Sequence, residues 1–163
     1  MLSPHFFLHE TPKKQCMFNK GHPYIRITSL EERDTVESMD EFRRLIAALR
    51  GENGCPWDKK QTVQSMSRYL LEEAQEAFEE IEKNCDEGLC EELGDVLLII
   101  VMLSQIAEEG GRFTFDDVVQ GVSDKIIRRH PHVFGDVQLN TAEEVLANWK
   151  EIKRREKMAR EKS

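Results

Sequence analysis

The run from Val96 to Leu103, VLLIIVML, contains no polar side chain, although the stretch that leads into it is acidic. On a helix such a run is apolar around its whole circumference, so it must be buried on every side. It is also far shorter than the roughly 20 apolar residues that a helix needs to cross a bilayer. The sequence therefore predicts a helix with a fully buried segment, and we expect no membrane partner.

Acidic side chains lead into this run at a regular spacing. Glu92 and Asp95 lie three residues apart and so share one helix face, and Glu73 and Glu76 repeat the spacing on the preceding predicted helix. Two such pairs facing each other would crowd carboxylates at the edge of an apolar core, which raises their pKa values unless cations bind. Oxygen ligands without Cys or His favour Mg²⁺, with Mn²⁺ as a substitute, over Zn²⁺. We therefore predict a metal site at these four residues.

Other acidic residues nearby have a simpler interpretation. A run of carboxylates on an amphipathic helix is usually a solvated face, and we interpret Glu79, Glu80 and Glu82 in this way, whereas Glu72 lies further towards solvent than Glu73. The apolar side chains of the same helix share one stripe, which we expect to face the core: Leu70, Ala74, Ala77, Phe78 and Ile81.

The length and net charge of the chain limit the classes of function that it can have. A chain of 163 residues fits one domain with a real core. Its 31 acidic and 23 basic residues give a net charge of -8, which argues against general binding to nucleic acid or anionic membrane. The four cysteines show no CxxC or zinc spacing, and no signal-peptide pattern opens the chain, so we expect unpaired thiols and a cytoplasmic location.

Helical periodicity begins at Met39 and continues almost to the end of the chain. The sequence predicts helices over about 39–50, 62–83 and 86–109, a fourth between a Thr114 capping box and Pro131, and a last one after a Thr141 capping box. The charged sequence beyond Lys153 is interpreted as a solvated or fraying helix end. These elements predict an all-α helical bundle of about five helices over residues 39–163, behind an N-terminal extension, 1–38, of unknown structure. The apolar run from Val96 to Leu103 is more than one small bundle usually needs to bury. We therefore predict that a homodimer completes the bundle.

A basic cluster lies on the fourth predicted helix. Lys125, Arg128 and Arg129 are spaced i, i+3 and i+4, so they share one face that could grip a polyphosphate. Helix C-termini also favour basic residues through the helix dipole, and the spacing alone leaves both interpretations open.

Two tryptophans are candidates for stacking on a nucleobase. Trp57 lies in a loop and Trp149 on the last predicted helix, although burial in the core is the stronger expectation for each ring. Lys153 follows Trp149 by one turn, so it faces the same way and could reach a phosphate.

Several segments together resemble the MazG-type nucleoside triphosphate pyrophosphohydrolases of the all-α NTP-pyrophosphatase superfamily. They occur in the family's order and spacing: GCPWDKKQT, YLLEEAQE, EELGD, GRFTFDDV, KIIRRHPHVFGD and NWKEIKRREK. The resemblance implies a MazG-like fold and magnesium-dependent hydrolysis of a nucleoside triphosphate between the α and β phosphates, giving the monophosphate and pyrophosphate. Removal of non-canonical nucleotides and control of nucleotide alarmones are both compatible roles.

The resemblance also implies roles for single residues. Family metal ligands fall on Glu73, Glu76, Glu92 and Asp95. From the chemistry of the residues themselves, Glu72 or Glu76 could take the proton of the attacking water, and Lys125, Arg128 and Arg129 would stabilise negative charge on the departing pyrophosphate. The predicted substrate contacts, from the resemblance and from the residues, are Trp57, Tyr69, Glu72, Glu91, Lys125, Arg128, Arg129, Trp149 and Lys153.

Two alternatives stay open. A ferritin-like di-iron or di-manganese bundle also collects glutamates from facing helices, but the residues three positions beyond Glu73 and Glu92 are Glu76 and Asp95 rather than the required His. A helical module that binds nucleotides or a partner without turnover is the second alternative.

Overall fold

A computed structural model describes residues 38–161, and within this range the chain is helical without any strand. The helices are α1 (Met39–Arg50), α2 (Val63–Lys83), α3 (Asp86–Glu109), α4 (Phe115–Arg129), α5 (Pro131–Phe134) and α6 (Ala142–Arg160), with a 3₁₀ turn at Asp58–Lys60. The chain divides into two compact units between Leu103 and Ser104, so the described parts are 38–103 and 104–161. The all-α prediction is confirmed for these residues, and the predicted extension lies outside them except for Ser38.

Both predicted capping boxes are present in the second unit. The backbone N–H of Asp117 donates to Thr114 Oγ1 at 3.1 Å, and the backbone N–H of Thr114 donates to Asp117 Oδ2 at 2.8 Å. Thr141 and Glu144 make the equivalent pair of hydrogen bonds, at 3.2 and 3.3 Å. These bonds satisfy N–H groups that the first turn of a helix leaves without partners, which is why α4 and α6 begin where they do.

The end of α4 differs in one respect from the prediction. The helix stops at Arg129, before Pro131 as expected, but Pro131 also begins the additional short helix α5. Proline suits the first position of a helix because its fixed φ is already helical and its missing N–H would have no partner there. The described residues thus form six α-helices rather than about five.

The loop after α1 is anchored tightly to the end of that helix. The backbone N–H of Cys55 donates to the Leu49 carbonyl at 2.7 Å, and Arg50 donates to the backbone carbonyls of Asp58 and Gln61. A Cβ at Gly54 would lie 2.2 Å from the Leu49 carbonyl oxygen, so only glycine fits this close approach.

The buried face of α2 is rotated from the predicted stripe. Met66, Tyr69, Glu73 and Ala77 are the buried residues, at helical spacing. Of the predicted stripe only Ala77 is fully buried; Leu70 is half-buried, and the other three residues, Ala74, Phe78 and Ile81, are exposed. A carboxylate, Glu73, therefore lies on the buried face of α2, whereas the predicted stripe contains only apolar side chains.

The apolar run of α3 is buried or half-buried at every position from Val96 to Leu103, in agreement with its composition. None of the helices described is long and apolar enough to cross a membrane. Cys55 and Cys90 are free thiols as expected, whereas Cys85 is disulfide-bonded, which corrects the expectation for that residue.

Candidate metal centre and basic cluster

A short link between α2 and α3 brings acidic residues of the two helices together. Asn84 ends α2 in the left-handed conformation, with φ 52° and ψ 43°, and the N–H of Cys85 donates to the Glu80 carbonyl at 3.0 Å. Asparagine tolerates this conformation better than most residues. Beyond the link, Glu92 and Asp95 of α3 meet Glu73 of α2, and one oxygen atom from each lies within 4.8 Å of the others.

Burial makes this carboxylate trio unusual. Glu73 is only 2% exposed, while Glu92 and Asp95 are half-buried. The Oε2 atoms of Glu73 and Glu92 are buried, and neither has a hydrogen-bond partner among the described residues. A buried carboxylate oxygen without a donor loses its hydration and gains nothing in return.

The pKa values of all three acids rise as a result. Loss of hydration on burial, followed by the charges of Asp95, Glu76 and Glu92, raises the pKa of Glu73 to about 7. Burial, followed by the charges of Glu76 and Asp95, raises the pKa of Glu92 to about 7. Burial, with the charge of Glu91, also raises the pKa of Asp95. The cluster therefore resists carrying its full negative charge unless a cation joins it.

These features fit a hard divalent cation. Oxygen atoms of three carboxylates from two helices lie within 4.8 Å of one another, and two of these residues have buried oxygen atoms without a hydrogen-bond partner in the described part of the chain. Among the described residues, neither Cys nor His belongs to the set. Such a donor set suits oxygen-preferring ions. The trio Glu73, Glu92 and Asp95 can accordingly hold a metal ion.

The other acidic residues predicted for this site surround the trio. Glu76 is exposed and does not belong to the trio, but its charge raises the pKa values of all three members. Glu72 is exposed, as predicted, and adds a smaller charge effect on Glu73. Of the four predicted ligands, the structure thus brings oxygen atoms of three within 4.8 Å of one another, and the charge of Glu76 acts on all three.

An aromatic pair lies one turn before Glu73. The ring of Tyr69 is buried and meets Trp57 edge to face, with the ring centroids 6.1 Å apart. The guanidinium of Arg68 lies 4.6 Å from the centre of the Tyr69 ring and donates to its hydroxyl. Arg68 was not among the residues predicted for the site. Trp57 is half-buried in this contact, so its ring is used at least in part for packing.

In the second unit, the predicted basic cluster contains a carboxylate. Arg128 Nε donates to Glu156 Oε1 at 2.7 Å, and Arg129 Nη2 donates to Glu156 Oε2 at 2.6 Å. Lys125, one turn earlier on α4, is exposed. The Glu156 carboxylate of α6 therefore already binds part of this basic cluster.

Trp149 of α6 adjoins the same cluster. The guanidinium of Arg129 lies 5.3 Å from the centre of the indole ring, and Lys153 Nζ lies 4.4 Å from it. The prediction that Lys153 shares the face of Trp149 is confirmed. Both contacts have the geometry of cation–π interactions.

Glu156 was missed because it belongs to the charged tail that the sequence interpretation treated as solvated or fraying. In the structure α6 continues to Arg160, and the side chain of Glu156 is only 14% exposed. Its position offered a usable signal: it follows Trp149 by seven residues and Lys153 by three, which places all three side chains on one helix face.

Comparison with known proteins agrees with this architecture. Residues 61–134, which include the carboxylate trio and the basic residues of α4, match the family described as MazG nucleotide pyrophosphohydrolase domain. A crystal structure of a MazG-related protein from Thermotoga maritima superposes with a TM-score of 0.60 at 28% sequence identity, over 71% of this chain and 98% of that chain.

Two curated relatives are similar over most of this chain. The uncharacterized protein YabN of Bacillus subtilis is 50% identical over 133 residues, which are 82% of this chain and 27% of that protein. A protein of Escherichia coli K12 named nucleoside triphosphate pyrophosphohydrolase is 43% identical over 123 residues, 75% of this chain and 47% of that protein. The chain thus spans less than half the length of either relative. By the matched family model, the shared fold and these identities, residues 61–134 of the chain are a MazG nucleotide pyrophosphohydrolase domain.

Proposed function

We propose that this chain hydrolyses nucleoside triphosphates between the α and β phosphates, releasing the nucleoside monophosphate and pyrophosphate. The observation that carries the proposal is the convergence of Glu73, Glu92 and Asp95, where two buried oxygen atoms have no hydrogen-bond partner among residues 38–161. The name of the Escherichia coli relative, which is 43% identical, supports the same activity. Enzymes of phosphoryl chemistry commonly combine such an acidic site with cationic side chains.

Magnesium is the cation we propose for the trio, with manganese as a substitute. Glu73, Glu92 and Asp95 would hold it, and Glu76 would complete the acidic set. When bound, the ion would neutralise charge on phosphate oxygens and help to activate a water molecule. Carboxylate oxygens are the protein ligands that magnesium prefers, which favours it over zinc here.

The remaining functional residues are assigned from their chemistry and exposure. Glu72 and Glu76 are exposed carboxylates beside the trio, so either is proposed to accept the proton of the attacking water. Lys125, Arg128 and Arg129 are proposed to bind phosphate oxygens and stabilise the departing pyrophosphate. The proposed base and sugar contacts, together with the further polar contacts, are Trp57, Tyr69, Glu91, Trp149 and Lys153.

The test is a panel of canonical, deoxy and modified nucleoside triphosphates incubated with the purified chain and magnesium. Pyrophosphate and inorganic phosphate are measured separately, and pyrophosphate is the expected product. Inorganic phosphate as the sole product would overturn the proposed site of cleavage. A preference for modified triphosphates would favour removal of non-canonical nucleotides over control of alarmones.

Variants connect this activity to the trio. Glu73→Gln and Asp95→Asn each keep the size of the side chain while removing a charge, and each is expected to abolish pyrophosphate release with the fold retained. Glu82→Gln is the matched control, because Glu82 is an exposed residue of α2 outside the acidic set. Near-normal release by Glu73→Gln would contradict the metal assignment. Nucleotide binding without any turnover by the wild type would support the non-catalytic alternative.

We also propose that the active form is a homodimer. Large apolar side chains on α2 and α3 are exposed in the single chain: Leu71 is 76% exposed, and Phe78, Ile81 and Leu93 are each 54% exposed. Several large apolar side chains exposed on neighbouring helices are typical of a surface that a partner covers. Sedimentation at micromolar concentration is expected to give a dimer, and a monomer would contradict the proposal.

A further inference from the structure

Glu156 links two arginines that lie on a different helix. Its Oε1 accepts a hydrogen bond from Arg128 Nε at 2.7 Å, and its Oε2 accepts from Arg129 Nη2 at 2.6 Å and from Arg129 Nε at 3.2 Å. All three residues belong to the second compact unit, of which residues 104–161 are described. The carboxylate therefore holds both guanidinium groups of the last turn of α4 against α6.

This contact leaves many N–H donors unused. A guanidinium has five N–H donors in a fixed planar arrangement. Arg128 uses only Nε, and Arg129 uses Nε and Nη2, while neither finds another hydrogen-bond acceptor within residues 38–161. The two arginines are thus fixed in place and still able to bind an anion.

The groups around Glu156 keep its carboxylate ionised and leave little of it exposed. Hydrogen bonds from Arg129 and Arg128 hold the pKa of Glu156 down at about 2, so its carboxylate stays ionised. The Glu156 and Arg129 side chains are only 14% and 15% exposed. Arg129 and Lys153 both lie against the ring of Trp149, so the cations of this cluster outnumber its single carboxylate.

We infer that Glu156 is a positioning residue for phosphate binding: it fixes the guanidinium groups of Arg128 and Arg129 so that their remaining N–H donors can bind the phosphate oxygens of a nucleotide. The inference rests on the proposed function, which assigns phosphate binding to these arginines. Side chains that are already held in place lose less conformational freedom when a ligand binds, so binding is tighter. Glu156 would act through the arginines and need not touch the substrate.

The opposite effect is expected if Glu156 only contributes its negative charge. Removing that charge makes the cluster more positive, which by itself strengthens the attraction of an anion. Loss of positioning weakens binding instead. The sign of the change in affinity therefore separates the two roles.

The decisive measurement is the affinity of inorganic tripolyphosphate, determined by calorimetry with EDTA present, for the wild type and for Glu156→Gln. Positioning predicts binding about tenfold weaker in the variant, from the freedom regained by two arginine side chains. The matched control is Glu151→Gln, because Glu151 also lies on α6 and also pairs with two arginines, Arg154 and Arg155. We expect the control to bind within about twofold of the wild type. Unchanged or tighter binding by Glu156→Gln would overturn the inference.

A second experiment, in a chain without the two arginines, distinguishes a positioning role of Glu156 from a merely structural one. In a chain that carries Arg128→Gln and Arg129→Gln, adding Glu156→Gln is expected to weaken tripolyphosphate binding no further, since the groups through which Glu156 acts are gone. Further weakening there would refute the positioning role. Thermal unfolding of each variant checks folding, and Glu156→Asp, which keeps the charge on a shorter side chain, replaces Glu156→Gln if that variant does not fold.

Turnover distinguishes failure of this inference from failure of the proposed function. In Glu156→Gln, the KM for a nucleoside triphosphate is expected to rise about tenfold while kcat falls much less, because substrate binding is the affected step. A wild type that binds tripolyphosphate in a Glu156-dependent manner and releases no pyrophosphate would contradict the proposed function alone. A wild type that releases pyrophosphate, with KM unchanged in Glu156→Gln, would contradict the inference alone.

Discussion

Replacing Glu73 by Gln should stabilise the metal-free protein, although it removes the most buried carboxylate of the site. Burial and the neighbouring carboxylates raise the pKa of Glu73 from 4.5 to about 7. At about 1.4 kcal/mol per pH unit, this difference corresponds to about 3 kcal/mol that opposes ionised Glu73 in the folded chain. Gln removes the charge but leaves a buried amide that needs partners, so we expect a net gain of about 1 to 3 kcal/mol.

The sign of the pH dependence follows from the same pKa. An acid whose pKa is higher in the folded state binds a proton on folding, so its contribution to stability is complete below pH 4.5 and is lost as the pH rises through about 7. The metal-free wild type should therefore be more stable at pH 6 than at pH 8.5, by about 1.4 kcal/mol from Glu73 alone and by up to about 3 kcal/mol when Glu92 is included. Glu73→Gln should reduce this difference in stability between pH 6 and pH 8.5.

The assay is urea unfolding with EDTA present at both pH values, for the wild type, Glu73→Gln and the control Glu82→Gln. The exposed control should stay within about 0.5 kcal/mol of the wild type at either pH. Magnesium should then stabilise the wild type and the control but not Glu73→Gln, since binding to the folded state alone raises its stability. If Glu73→Gln is destabilised equally at pH 6 and pH 8.5, the account of the cluster as electrostatically strained is wrong.

Two further predictions concern local structure. Thr114→Ala removes the side chain that accepts from the Asp117 N–H, so urea unfolding should show a loss of about 1 kcal/mol. Gly54→Ala would place a Cβ against the Leu49 carbonyl oxygen, so it should destabilise the protein by about 1 to 3 kcal/mol. Gly121→Ala in α4, where a Cβ would meet nothing within 4 Å, should instead stabilise it slightly, and equal losses in the two glycine variants would contradict the steric explanation.

The sequence predicts the helices well because their ends are marked by local chemistry. The Thr114 capping box fixes one start, and Pro131 excludes continuation of α4, whatever surrounds them. The pairing of Glu73 with Glu92 and Asp95 was also predictable, because residues three apart share a helix face and a link as short as Asn84–Cys85 limits how far α3 can depart from α2.

The partners of charged residues were not predictable to the same degree. The spacing of Arg128 and Arg129 indicates a basic face, but the carboxylate that binds them comes from α6, 27 residues beyond Arg129. Such a contact depends on how two helices pack, which local spacing does not specify. The helical register of Trp149, Lys153 and Glu156 would have shown that these side chains lie together, though not which of them meets α4.

The rotation of α2 is the most informative departure from the sequence pattern. Periodicity favours burial of Phe78 and Ile81, yet both are exposed in the single chain while Glu73 is buried. Apolar surface that stays exposed gives a lone chain no hydrophobic stabilisation, and a buried carboxylate with no hydrogen-bond donor among the described residues opposes folding of the metal-free chain. A second copy would bury the apolar face, and a divalent cation would balance the carboxylate on the buried face of the helix. The rotation of α2 that is unfavourable in a lone, metal-free chain is therefore the one that both proposed partners would stabilise.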